Sequence, residues 1–122
     1  MKLNHLDLQV PDVQATARFF MRYCGFTSHA KNHDSPAIAM LGGTDGFVLI
    51  LQRRKRDSDV FPEDFHVGFL QDSEAPVLAF HERVKADGLE VSDVIRNNRG
   101  TLVYCRAPGG ILVEVSCRPG AV

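Results

Sequence analysis

Residues 5–10 alternate between polar and apolar side chains, which is typical of a β-strand with one face in a protein core. The apolar positions are Leu6, Leu8 and Val10. Successive side chains of a strand point to opposite faces, so His5 and Asp7 are expected on the face away from the core. The pattern therefore predicts a first strand whose outward face carries side chains that can bind a metal ion or move a proton.

The next segment has the periodicity of an amphipathic helix. Its apolar positions, spaced i, i+4, i+7 and i+11, are Val13, Ala17, Phe20 and Cys24. Asp12 is expected to be the N-cap, and Gly25 is expected to end the helix in the left-handed conformation. Turn-forming clusters, NHDSP and GGTDG, then separate three predicted strands around residues 27–31, 37–41 and 46–52.

The same order of elements is predicted again in the second half of the chain. A strand over residues 64–71 leaves His66 on the face opposite to its apolar side chains. Those apolar side chains are Phe65, Val67 and Phe69. The helix that follows is expected to hold Pro76 in its first turn and to end at Gly88. The last three strands are expected near residues 90–95, 100–106 and 110–117.

Equivalent residues of the two halves are separated by a nearly constant offset. The matched pairs, with their separations in residues, are His5 and His66 (61), Gly25 and Gly88 (63), and Gly46 and Gly110 (64). This near-constant offset predicts a duplicated βαβββ module whose loops differ slightly in length. We therefore expect one α+β domain over residues 1–122, with module 1 at 1–53, a linker at 54–63 and module 2 at 64–118.

Three strands each place one metal-binding side chain on the face that the helices leave open, namely His5, His66 and Glu114. Each of them alone is ordinarily a half-exposed polar residue, but two histidines at equivalent positions of a repeat favour a shared site. If the two sheets close into a cup-like half-barrel with the helices outside, the three side chains converge. Two imidazoles and one carboxylate suit Fe, Mn, Zn or Ni and leave positions open for a substrate. Asp7 is then either a general base near the metal or an ordinary surface aspartate.

Composition narrows the class of partner. The 122 residues carry a formal charge of −1, which gives no electrostatic footprint for nucleic acid or for an anionic membrane. The N-terminus lacks the apolar run of a signal peptide. Three cysteines without a C-x-x-C pair point away from a disulfide framework and towards the reducing cytoplasm. A small-molecule substrate is the expected partner.

The sequence resembles the vicinal oxygen chelate superfamily, which includes glyoxalase I, fosfomycin-resistance transferases, extradiol dioxygenases and bleomycin-binding resistance proteins. NHLDLQVPDVQATARFFMRYCGF resembles the opening strand and helix of the family, and FHVGF resembles the strand that opens its second module. RAPGGILVEVS resembles its closing hairpin and glutamate strand. The Asp-Pro-Asp-Gly of that hairpin is replaced here by Ala107-Pro108-Gly109-Gly110, which keeps the turn chemistry.

The resemblance covers nearly the whole chain and implies both a fold and a chemistry. It implies paired βαβββ modules that close into a cup, commonly within a homodimer. It also implies a divalent ion held by His5, His66 and Glu114, which would chelate a small substrate through adjacent oxygens and stabilise the negative charge that develops on them. The implied reaction is that of a lyase, an isomerase, a dioxygenase or a thiol transferase.

The resemblance does not extend equally to every member. Glyoxalase I has a further glutamate, a ligand and base, at the position of Ile50, and Gln52 on the same face is a neutral amide that cannot act as a base. Tyr104 falls where the fosfomycin transferases carry a tyrosine, and with Asp7 it is the expected catalytic helper. Ile50, Gln52 and Leu112 are expected to contact the substrate. The alternative function is a non-catalytic protein that sequesters an aromatic drug or metabolite in the same cup.

Overall fold

The computed structural model describes residues 1–29 and 35–121. The chain divides into two compact units, Met1–Val60 and Phe61–Val122. Each unit contains one four-stranded mixed sheet and one α-helix. No helix in the described part of the chain is both long enough and apolar enough to cross a membrane.

The first unit begins with a strand and a helix and continues with three strands. The elements are β1 (His5–Val10), α1 (Val13–Tyr23), β2 (Thr27–Ser28), β3 (Ile38–Gly42), a 3₁₀ turn (Thr44–Gly46) and β4 (Val48–Arg53). The strand order in the sheet is β1-β4-β3-β2. Strand β1 runs parallel to β4, and the other neighbouring strands are antiparallel.

The second unit repeats this architecture. Its elements are β5 (His66–Gln71), α2 (Glu74–Ala86), β6 (Ile95–Asn97), β7 (Gly100–Arg106) and β8 (Leu112–Cys117). The strand order is β5-β8-β7-β6, again with one parallel pair, β5 with β8. Between Arg53 and His66, all of which the structure describes, the chain forms neither helix nor strand.

The strand registers show that the two units are copies of one module. In the second unit, Glu114 lies opposite Gly68 on one side and opposite Tyr104 on the other. In the first unit, the corresponding central residue is Ile50, which lies opposite Asp7 and Met40. The two βαβββ modules and the α+β class predicted from the sequence are therefore confirmed.

The residues expected to begin and end the two helices are found in those positions. The Asp12 side chain accepts a hydrogen bond from the N–H of Ala15 (3.0 Å), which satisfies one of the unpaired donors at the start of α1. Gly25 and Gly88, with φ of +75° and +80°, follow the two helices in the left-handed conformation that glycine adopts at little cost. Pro76 lies in the first turn of α2, as predicted.

Several strand boundaries differ from the prediction. The strand expected at 90–95 is reduced to one bridge between Val91 and Cys105, and β6 begins only at Ile95. The reason is Ser92, whose hydroxyl accepts the hydrogen bond of the Tyr104 N–H (3.0 Å) and so interrupts the backbone ladder. Phe65 precedes β5 and is exposed rather than part of its apolar face, and residues 30 and 31 of the strand expected at 27–31 lie outside the described residues.

The core of each unit lies between its sheet and its helix. In β1, Leu8 and Val10 are buried, whereas His5, Asp7 and Gln9 are exposed. In β8, Val113 and Val115 are buried on the helix side. In each sheet, the residues that alternate with these buried side chains lie on the face away from the helix, as predicted.

Candidate functional site

The open face of the second sheet brings three chemically capable side chains together. Tyr104 and Gly68 are the direct cross-strand partners of Glu114, and His66 lies two residues before Gly68 on β5. Direct partners share a face, and so do residues two apart in one strand. His66, Tyr104 and Glu114 therefore lie on one face, where the His66 and Tyr104 rings meet edge to face at 6.0 Å.

Glu114 is a buried carboxylate with one occupied and one open oxygen. The residue is only 9% exposed. Its Oε1 accepts hydrogen bonds from the Tyr104 hydroxyl (2.7 Å) and from Nη2 of Arg99 (2.8 Å). Its Oε2 accepts none from residues 1–29 and 35–121, and it lies beside Gly68, where an added Cβ would be 3.4 Å away. The carboxylate thus presents one oxygen to the space that glycine leaves open.

The charges around Glu114 explain why it can be buried. A buried carboxylate needs hydrogen bonds and a nearby positive charge, and Tyr104 and Arg99 supply both. The hydrogen bond to Glu114, together with burial, raises the pKa of Tyr104 above its usual value. Hydrogen bonds to Tyr104 and to Glu114 also raise the pKa of Arg99. At neutral pH, Tyr104 is therefore a hydroxyl donor and Arg99 a cation.

The tautomer of His66 follows from its hydrogen bond. Its Nδ1 lies 2.9 Å from the backbone carbonyl oxygen of Asp64, and a carbonyl oxygen can only accept. Nδ1 must therefore carry the proton, so neutral His66 has its lone pair on Nε2. This backbone acceptor is the kind of partner that orients a metal-binding histidine.

His5 has the same arrangement in the first unit. Its Nδ1 lies 2.7 Å from the side-chain oxygen of Asn4, which likewise places the proton on Nδ1 and the lone pair on Nε2. His5 is exposed on the open face of β1. The two histidines that the repeat makes equivalent therefore both have a lone pair on Nε2 that can bind a metal ion.

Asp7 lies on the same face as His5 and is held by two amides. One of its oxygens accepts a hydrogen bond from the side-chain amide of Gln9 (2.9 Å), and the other accepts one from the amide of Gln52. Its direct neighbour on β4 is Ile50. On this face of the first unit the structure therefore shows a carboxylate on β1, whereas in the second unit the carboxylate lies on β8.

The predicted site residues thus form two groups. His66, Tyr104 and Glu114 lie together in the second unit, with Leu112 directly opposite His66. The residues grouped in the first unit are His5, Asp7, Ile50 and Gln52. Within the described residues, no three His, Cys, Asp or Glu side chains form a group that could hold a metal ion. The chemistry of the donors nevertheless fits one, because each histidine offers Nε2 and Glu114 offers Oε2.

The contact between Arg99 and Glu114 is not predicted by the sequence pattern. Arg99 lies in the two-residue turn between β6 and β7, where its N–H donates to the side-chain oxygen of Asn97 (2.8 Å). The signal in the sequence was the Asn-Asn-Arg-Gly turn, which places a cation at a hairpin end. Nothing in that pattern shows which carboxylate the arginine will reach.

Comparisons with known proteins agree with the fold. A family model described as the Glyoxalase/Bleomycin resistance protein/Dioxygenase superfamily matches residues 2–115. The structure of a possible glyoxalase from Bacillus cereus is 36% identical, with a TM-score of 0.84 over 96% of this chain and 99% of that chain.

Two more distant structures show the fold alone. Lactoylglutathione lyase from Agrobacterium tumefaciens is 22% identical, with a TM-score of 0.74 over 95% of this chain and 92% of that chain. The oxidase ChaP-H2 is 21% identical, with a TM-score of 0.77 over 98% and 94%, respectively. No protein with a curated description matches the chain.

Proposed function

Because the chain belongs to the Glyoxalase/Bleomycin resistance protein/Dioxygenase superfamily, we propose that it is a metal-dependent enzyme acting on a small substrate with oxygens on adjacent carbons. The proposed ligands of the divalent ion are Nε2 of His5, Nε2 of His66 and a carboxylate oxygen of Glu114. Two imidazoles and a carboxylate bind Fe, Mn, Zn or Ni and leave positions open for a substrate.

The observation that carries this proposal is that the hydrogen bonds of all three side chains leave a metal-binding atom available on each. Both histidines use Nδ1 to hydrogen-bond an oxygen of their own segment, which leaves Nε2 as the donor atom. Glu114 has Oε1 occupied by two donors and Oε2 open above a glycine. In the described part of the chain no buried side-chain oxygen lacks a hydrogen-bond partner, so Oε2 is an accessible atom that a ligand can use.

A divalent ion held there would supply Lewis-acid stabilisation of negative charge on substrate oxygens. In the proposed reaction, Asp7 takes up or returns a proton, because it is an exposed carboxylate oriented by the amides of Gln9 and Gln52. Tyr104 keeps its proton, and its hydroxyl holds the Glu114 carboxylate in one orientation. The reaction type, among lyase, isomerase, dioxygenase and thiol transferase, is not assigned.

Turnover that depends on metal and on Asp7 would support this function. Protein loaded with each of Fe(II), Mn(II), Zn and Ni would be assayed against 2-hydroxy ketones, thiohemiacetals of 2-oxoaldehydes, and catechols. We expect Asp7→Asn to lower kcat about 10²-fold or more while metal content stays unchanged, because it removes the base but keeps the ligands. Asp93→Asn, an exposed aspartate of the second unit, is the matched control and should retain activity.

A second candidate function is sequestration of an apolar ligand without turnover. It is favoured by apolar side chains on the open sheet faces, where Leu70 is 57% exposed and Met40 is 42% exposed. Leu112 and Ile50 lie half-buried on the same faces. Stoichiometric binding of an aromatic compound that chelator does not affect, with no turnover under any metal, would favour this function over the enzyme.

A further inference from the structure

Among residues 1–29 and 35–121, Arg99 is the one cation that contacts the Glu114 carboxylate of the candidate site. Its guanidinium donates to Oε1 of Glu114, and its side chain is 59% exposed. A guanidinium has five N–H donors in a planar fork. Beyond Glu114 and Tyr104, its side chain contacts no further acceptor among residues 1–29 and 35–121. Most of its donors are therefore available to a ligand.

The backbone of Arg99 is held in place by the turn that carries it. Asn97 and Gly100 pair at the end of the hairpin, and the Arg99 N–H is bonded to the Asn97 side chain. Gly100 has φ of +118°, and an added Cβ would lie 1.9 Å from the carbonyl oxygen of Cys117, so no other residue fits there. This turn packs tightly against the end of β8, and the cation is presented from a fixed base.

The charges of the proposed site favour an anionic ligand. The Arg99 and Glu114 charges cancel, and both histidines are neutral when they donate through Nε2. Only Asp7, among the proposed site residues, offers further negative charge. A divalent ion added to this set leaves at least one positive charge unbalanced, next to a guanidinium whose remaining donors match the geometry of a carboxylate.

We propose that Arg99 determines specificity by binding an anionic group, a carboxylate, of the substrate whose adjacent oxygens meet the metal. This inference rests on the proposed function and extends it to the class of substrate, a small carboxylate. Glu114 holds the guanidinium at one edge, and the opposite edge faces the ligand. The anionic group adds an ion pair to the interactions made by the chelating oxygens.

Two probes that differ by one carboxylate test this assignment. Catechol and 3,4-dihydroxybenzoate both offer adjacent hydroxyls, but only the second carries an anionic group. Their dissociation constants would be measured by calorimetry, without oxygen, on protein whose metal content has been determined first. We expect the wild type to bind 3,4-dihydroxybenzoate about three- to tenfold more tightly than catechol, with a preference that weakens at high salt because the ion pair is exposed.

Arg99→Gln should abolish this preference, so that the variant with its metal content determined binds catechol and 3,4-dihydroxybenzoate equally tightly. Arg99→Lys, which keeps the charge but not the fork, should retain part of it. The matched control is Arg96→Gln, which removes an exposed arginine of the same hairpin that pairs with Glu74, and it should keep the full preference. Equal binding of the two probes by the wild type, or a preference that survives in Arg99→Gln, would overturn the assignment to Arg99.

These results separate the inference from the function on which it rests. Protein that takes up metal and binds catechol without any preference for the carboxylate refutes the role of Arg99 and leaves the metal site intact. Protein that takes up no metal refutes the proposed function, and the role of Arg99 is refuted with it. Metal content, measured before any probe is added, tells the two failures apart.

Discussion

Replacing Tyr104 by phenylalanine removes one hydroxyl from the candidate site and leaves the ring in place. The hydroxyl donates to Oε1 of Glu114 at 2.7 Å, and the residue that accepts is 9% exposed. The substitution therefore takes a donor away from a buried carboxylate without creating a large cavity. We expect a loss of stability that comes mainly from this hydrogen bond, with a smaller part from the one that the hydroxyl accepts from the exposed Arg99 side chain.

The magnitude follows from the partners of Glu114. A hydrogen bond to a charged group contributes about 1.5–3 kcal/mol to stability. Arg99 still donates to the same oxygen, so the carboxylate is not left unpaired and the lower part of the range applies. We expect the free energy of unfolding to fall by about 1.5–2 kcal/mol, which for a chain of this size lowers Tm by about 6–8 °C.

Urea unfolding in the presence of a chelator measures this difference directly, since chelator removes any contribution from bound metal. The chain has only one other tyrosine, Tyr23, whose hydroxyl accepts a hydrogen bond from Nε of Arg22 (3.1 Å) at an exposed position. Tyr23→Phe is therefore a matched control, with an expected change within about 0.5 kcal/mol. If Tyr104→Phe were as stable as the wild type, the hydroxyl would not stabilise the buried carboxylate and this reasoning would be wrong.

Other predictions concern the helix cap, a buried thiol and the glycine beside the carboxylate. Asp12→Ala should lower the free energy of unfolding, measured with urea, by about 1 kcal/mol, because the first turn of α1 loses its side-chain acceptor. A decrease of less than about 0.3 kcal/mol would show that Asp12 does not stabilise the helix as an N-cap. Burial raises the pKa of Cys105 to about 11, so its thiol should resist iodoacetamide at pH 9 until the protein unfolds, whereas Cys24, half-buried, should react in the folded protein. The proton on this thiol stabilises the folded state fully below the unfolded pKa near 8.5, and the contribution is lost as pH rises through 11. Gly68→Val should weaken metal binding about tenfold or more at nearly unchanged stability, because its γ-carbons would fill the space beside Oε2 of Glu114; unchanged affinity would show that this space is not used.

The sequence alone was sufficient for the parts of the fold that depend on periodicity. Alternation placed His5, His66 and Glu114 on open sheet faces, and turn residues such as Gly25 marked the ends of helices. Both signals are local, because one residue and its near neighbours decide them. The duplication could also be predicted, because residues separated by the near-constant offset occupy equivalent positions in the strand registers of the two sheets.

The contacts of the site could not be predicted from the sequence, because they join residues that are distant in the chain. Arg99 reaches Glu114 only because the β6–β7 hairpin folds back beside β8, and no local pattern encodes that approach. The hydrogen bond from the Gln52 amide to Asp7 likewise depends on the pairing of β4 with β1. The late start of β6 arises from one hydroxyl, that of Ser92, which takes over a ladder hydrogen bond. The homodimer and the cytoplasmic location stay predictions from the sequence.

The measurement that tests the central claim most directly is elemental analysis of the purified protein and of its His66→Ala variant, each reconstituted with Fe(II), Mn(II), Zn and Ni in turn. We predict close to one equivalent of one metal per chain in the wild type and loss of that metal in the variant. His81→Ala, which removes a half-buried histidine of α2, is the control and should retain the metal. A wild-type protein that binds none of the four metals, or a His66→Ala variant that binds its metal equally well, would contradict the account.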